Sequence, residues 1–180
     1  MGHVIIKDLQ LTPVDGSATE IVTVADVKTY LQIEGTAYDG PIGIFITAAR
    51  QMIERATGCI LLERTAVATI HNTGLGAMLL PYGPVTEVTQ VRWRKCPSTW
   101  ETLVLADEEY STYGNDRVYV ESVEVGLHEI TYTLGVDGNV IFEQAVKAQA
   151  GYMFNNRDSD KAVTMAPEVK GLLSQYMEIS

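Results

Sequence analysis

NVIFEQAVKAQAGYMFNNR, residues Asn139 to Arg157, is the stretch on which the reading of the fold turns. It has helical spacing throughout and no proline. Ile141, Ala145, Ala148 and Tyr152 recur at i, i+4, i+7 and i+11, on one face of a 3.6-residue helix. Val146 and Met153 widen that stripe. Glu143, Gln144, Lys147 and Gln149 are expected to face water or a partner. Ala145, Ala148, Ala150 and Gly151 are small enough for another element to approach closely. The stretch therefore reads as a central packing helix.

Its partners lie on both sides in sequence. Upstream, Thr23 with Asp26 three residues on forms a capping box, which predicts a short helix over about 24–32 carrying Val27, Tyr30 and Leu31. Asp39-Gly40-Pro41 then starts a second helix, with proline admissible in the first turn. Ile42, Phe45, Ala49, Met52, Ile53 and Ala56 mark its apolar face, and Gly58 stands where a left-handed C-terminal cap belongs. Glu54, Arg55 and Arg64 read as ion-pair partners. Downstream, Ala166-Pro167-Glu168 opens a last helix with Val169, Leu172, Leu173 and Tyr176 as its apolar face.

Between the second and third helices the period changes. Thr65, Val67, Thr69 and Ile70 predict a strand within 61–71, Ala77 to Leu80 a short one, and Pro81-Tyr82-Gly83-Pro84 a chain break. Val85 to Arg94 is extended, yet both of its faces mix polar and apolar residues. Lys95 to Thr99 reads as a hairpin loop with a return over Thr102 to Leu105. Tyr110 to Tyr113 and Arg117 to Glu121 pair around Gly114-Asn115-Asp116. His128, Ile130, Tyr132 and Leu134 alternate with Glu129, Thr131 and Thr133 in a last strand. The fold class is α+β: a small bundle of about four helices with an antiparallel β insertion between helices 2 and 3. The expected organisation is an amino-terminal arm over 1–22, a helical core from 23–60 and 136–180, and the insertion over 61–135. Within the arm, Val4-Ile5-Ile6 reads as a short strand or as a segment packed on a neighbour.

Composition narrows the function. With 23 acidic against 13 basic residues the formal charge is −10, which argues against general adhesion to a phosphate backbone. A net negative surface lets DNA pass without sticking. No run approaches the ~18 apolar residues of a membrane span, and MGHVIIKDLQ lacks the long apolar core of a secretory signal. Cys59 and Cys96 belong to no C-x-x-C pair, so reduced thiols are expected rather than a disulfide framework or zinc site.

Chemistry is sparse. His3, His71 and His128 stand without acidic or cysteine residues at ligand spacing, and Gly74-Leu75-Gly76 lacks the Lys-Ser/Thr of a phosphate loop. Asp107-Glu108-Glu109, with Glu121 and Glu124, read as solvated loop charge; a hydrolase built on those loop carboxylates is the remote alternative. No catalytic, cofactor-binding or metal site is expected. The aromatics are more telling. Trp93, Trp100, Tyr110, Tyr113 and Tyr119 crowd the insertion, either as a local aromatic core or as an oligomer or partner interface.

Taken in order, these segments resemble the head–tail connector (adaptor) family of long-tailed phages and prophages. VTVADVKTYLQIEG at 22–35 and the run from Asp39 through IGIFITAARQMIERATGCIL are similar to its first two helices. LPYGPVTEVTQV at 80–91 and HEITYTLG at 128–135 resemble the segments that open and close its insertion, and VKAQAGYMFNNRD with APEVKGLLSQYM its last two helices. The third helix ends Phe154-Asn155-Asn156-Arg157, where a Tyr-Glu-Asn-Arg type ending is expected. The resemblance implies a structural protein and not an enzyme, located in the virion neck and assembled in the host cytoplasm. It implies a homo-oligomeric ring, dodecameric in the virion and monomeric before docking. Its partners would be the portal protein, a downstream neck or tail-completion protein, and DNA crossing the channel without sequence-specific binding. Helices 2 and 3 and the insertion would carry the subunit contacts, and the 158–166 loop and carboxyl terminus the portal contact. Asn155, Asn156, Arg157 and Tyr176 join the aromatics as interface candidates. Another virion assembly role, such as tail completion, is the alternative.

Overall fold

The computed structural model describes residues 4–14, 19–74, 76–95, 99–103, 110–113, 118–122, 124–135, 139–158 and 164–177. Residues 96–98 of the loop expected over Lys95 to Thr99, the turn expected at 114–116, residue 117 of the strand expected after it, residues 104 and 105 of the return strand, Leu75, and 159–163 of the polar loop lie outside them. The chain divides into two compact units, one from residues 1–18 and 62–135, the other from 19–61 and 136–180.

The helical unit holds α1 (Val24–Leu31), α2 (Asp39–Thr57), α3 (Val140–Asn155) and α4 (Pro167–Met177). The Thr23 box forms: its hydroxyl accepts the Asp26 N–H at 3.1 Å, and Asp26 accepts the Thr23 N–H at 2.9 Å. Lys28 pairs with Asp39 at 2.7 Å, joining α1 to the start of α2. Gly58 ends α2 at φ 68°, its N–H on the Glu54 carbonyl. Two helix faces differ from expectation. The stripe α2 buries is Ile42, Ile46, Ala49, Arg50, Ile53 and Thr57, leaving Phe45, Met52 and Ala56 at its margins. On α3, Phe142, Ala145, Val146, Ala150, Met153 and Phe154 are buried, while Ile141 and Tyr152 are partly so. Gln149, expected at the surface, is fully buried. The close approach predicted for the small residues is made by α1: a Cβ on Gly151 would lie 3.1 Å from the Tyr30 ring and 3.2 Å from Leu31.

Arg50 is tolerated in this core because two carboxylates neutralise it. Its Nε meets Glu20 at 2.7 Å and its Nη1 meets Glu54 at 2.8 Å. Glu54 also accepts the Leu61 N–H at 3.0 Å, so one network ties the entry to α2 and the exit from it. The ion pair expected of Glu54 thus forms with Arg50, one turn before it.

The β unit holds β1 (Val4–Pro13), β2 (Arg64–Asn72), β3 (Gly76–Leu79), β4 (Val85–Lys95), β5 (Thr99–Leu103), β6 (Tyr110–Tyr113), β7 (Tyr119–Ser122) and β8 (Gly126–Leu134). All pairs are antiparallel, in a five-stranded sheet ordered β1-β2-β8-β4-β5 and a three-stranded one ordered β3-β7-β6. The amino-terminal stretch therefore contributes a ten-residue edge strand, with Ile5 and Ile6 exposed. On β2 and β8, residues alternate between buried and half-buried along both strands. Ala66, Ala68 and Ile70 lie opposite Tyr132, Ile130 and His128, so alanines make room for the tyrosine. The Tyr132 hydroxyl donates to the Pro81 carbonyl at 2.7 Å, and burial raises its pKa, keeping it protonated.

The mixed pattern of β4 has a physical cause. Register shifts between Val85 and Glu87 and between Val88 and Gln90 insert two irregularities. They bring Val85, Val88, Val91 and Trp93 opposite Leu134, Tyr132, Ile130 and His128. The apolar residues thus share the inner face despite their spacing.

Candidate assembly interface

In the β unit the candidates gather on the hairpin of β4 and β5. Arg94 lies directly opposite Trp100 and Arg92 opposite Thr102, so the pleat puts Arg92, Arg94 and Trp100 on one face. Their guanidinium carbons stand 5.5 Å (Arg92) and 5.9 Å (Arg94) from the Trp100 ring centroid, within cation–π range. Arg92 is also paired with Glu129, its cross-strand neighbour on β8. Trp93 occupies the other face, opposite His128, and its indole donates to the Val125 carbonyl at 3.1 Å. The two tryptophans therefore have different work: Trp93 belongs to the inner layer, whereas Trp100 is half-buried beneath two arginines on the outer face.

Tyr110 and Tyr113 sit on β6, opposite Ser122 and Tyr119; their side chains lie outside the described residues, as do Asp107, Glu108 and Glu109. His128 is wholly buried, not turned to solvent or a neighbour. Its Nδ1 lies 3.2 Å from the Gly126 carbonyl, and burial lowers its pKa, assisted by nearby His71.

In the helical unit the candidates separate. Asn155, Asn156 and Arg157 end α3, whereas Tyr176 packs on Phe142 at 4.8 Å and meets Asn139 at the start of the same helix. Sixteen residues of α3 at ~1.5 Å rise hold those two places roughly 24 Å apart. Asn156 and Arg157 spend their side chains on capping: Asn156 donates to the Tyr152 carbonyl at 2.8 Å and Arg157 to that of Phe154 at 2.9 Å. The Arg157 guanidinium covers the Phe154 ring at 4.4 Å and the Tyr38 ring at 5.6 Å. Asn155 is exposed beside them. Tyr38, which belongs to no apolar stripe in the sequence, stacks edge-on with Phe154 at 5.3 Å and completes this end.

Among the described residues no group of three His, Cys, Asp or Glu side chains could hold a metal, and no helix is long and apolar enough to cross a membrane. What the geometry offers at both places is an arginine set over aromatic rings.

A family model described as head completion protein matches residues 20–173. The chain belongs to the head completion protein family. The chain also shares its fold with two solved chains. One comes from the neck of an empty gene transfer agent particle computed with C6 symmetry, the other from the virion of the native gene transfer agent particle. Each superposes with a TM-score of 0.70 at 21% identity, covering 93% of this chain and 94% of its own. No curated protein matches the chain. The connector resemblance read from the helices and insertion agrees with this family.

Proposed function

We propose that this member of the head completion protein family is a structural subunit of a tailed-phage or prophage neck. Copies form a ring beneath the portal, lengthen the DNA channel and present the surface on which the next neck or tail component docks. The observation that supports this reading is the near-complete overlap of this chain with a chain from a gene transfer agent neck computed with C6 symmetry. A dodecamer contains a six-fold axis, so a ring of twelve is compatible with such a neck. The formal charge of −10 suits a channel that DNA must traverse without arrest, because few phosphate contacts can form. Trp100 with Arg92 and Arg94, and the Asn155 end of α3, supply the residue types that anchor protein contacts.

The test is complementation. DNA-filled capsids made without this protein should fail to join tails, and purified protein should restore joining and leave a ring below the portal in electron micrographs. Capsids that join tails in its absence would sink the proposal. A ring found at the tail terminus alone would move the protein to tail completion.

A further inference from the structure

The exposed face of α2 carries an unusual surface for so acidic a chain. Gly40, Ile44, Thr47, Ala48 and Gln51 form an uncharged stripe, with Ile44 at 70% exposure projecting from it. Shallow depressions of about 510 and 400 Å³ run beside it, the second ending at exposed Arg55. Interface centres are depleted of charge in this way, whereas solvated helix faces are not.

A second surface complements it. A groove of about 550 Å³ opens between α1, α3 and α4, lined by Tyr30, Gln144, Ala148, Glu168, Gly171 and Leu172. Tyr30 and Leu172 are half exposed at 49% and 44%. A Cβ at Gly171 would meet nothing within 4 Å, so the wall there is open. Among the described residues, the single charge lining this groove is Glu168, and the single charge lining the α2 depressions is Arg55. The two surfaces share no residue.

We propose that Ile44 of one copy seats in the Tyr30–Ala148–Leu172 groove of the next, with Arg55 facing Glu168 across the contact. Projection and recess with opposite charges on one molecule select a second copy over a foreign partner, which would need only one of them. Because the patches differ, the contact is head-to-tail and propagates by rotation until it closes. This inference rests on the ring reading above and names the contact that builds the ring.

The experiment mixes Ile44→Cys chains with Leu172→Cys chains on DNA-filled, tailless particles and adds a short bismaleimide. Cross-linked dimers are expected from the mixture, and a ladder of higher oligomers from the double variant, beyond what wild-type chains and either single variant give through Cys59 and Cys96. In parallel, Ile44→Glu should lower loading on particles about tenfold or more, as a charge forced into an interface centre does, with its thermal midpoint unchanged. Wild-type chains that load while the mixture gives no added cross-link, or Ile44→Glu chains that load normally, overturn this contact alone. Wild-type chains that never load overturn the ring reading, and the contact with it.

Discussion

Gln149, midway along α3, accepts the backbone N–H of Ala166 at 2.8 Å and donates to the Thr164 carbonyl at 3.2 Å. One buried amide thus pairs with one backbone donor and one backbone acceptor of the segment that leads into α4. Gln149→Leu keeps the bulk and removes both bonds, stranding the buried Ala166 N–H and releasing the carbonyl of exposed Thr164. A loss of about 2–4 kcal/mol is expected, read from urea unfolding. A midpoint equal to wild type would mean that the approach to α4 is held by other contacts.

Arg50 gives a sharper contrast. Its side chain is 6% exposed and lies between Glu20 and Glu54. Arg50→Ala leaves two facing carboxylates without their cation and should cost about 3–5 kcal/mol. Glu20→Gln retains an acceptor and should cost clearly less. Thermal unfolding of the two variants side by side decides the matter, and equal losses would argue against a charge-centred network.

His128 makes stability depend on pH. Burial depresses its pKa in the folded chain below the ordinary 6.5, so on acidification the unfolded chain takes up the proton first. Its contribution is therefore complete above about pH 6.5 and lost as pH falls from there through the lowered folded pKa. His128→Phe should flatten the stability profile in that window, measured as denaturation midpoints on either side of it. An unchanged slope would assign the acid sensitivity to other groups.

Gly151 sets the distance between α1 and α3. Gly151→Val would drive branched atoms into Tyr30 and Leu31, which stand only 3.1 and 3.2 Å from where the first side-chain carbon would lie. A loss of about 1–3 kcal/mol is expected from such overpacking. Differential scanning calorimetry of Gly151→Val against Gly151→Ala reads the effect, and the smaller side chain should be the milder.

Helix positions were legible because caps and spacing act locally: Thr23 with Asp26, Pro41, Gly58 and Pro167 fall where they are needed. Which side of α2 is buried was less so. Phe45 and Met52 outweigh Ile46 and Arg50 in any hydrophobic pattern, yet the ion pairs of Arg50 with Glu20 and Glu54 let a cation enter the core. The faces of β4 were illegible for a different reason. Two register irregularities change the period from two to three locally, and nothing in Val85 to Trp93 marks them by residue type. Gln149 looked like a surface residue because its partners, Thr164 and Ala166, lie beyond the end of its own helix. At the candidate interface, the crowding of tryptophan, tyrosine and arginine was visible. The separation of Trp93 from Trp100 by the pleat was not, nor was the use of Asn156 and Arg157 as caps.

The helical unit is written in two halves, residues 19–61 and 136–180, and this orders its birth on the ribosome. When α2 has emerged, the side of it bearing Ile42, Ile46 and Ile53 has no α3 to meet until the whole β unit has followed. At ~5–20 residues per second that wait lasts several seconds. The sheet, whose long-range pairings lie within residues 4–134 apart from the intervening helices, can close before α3 is made. A nascent chain stalled near residue 135 should therefore display an apolar helix pair to chaperones, and one released after Arg157 should not.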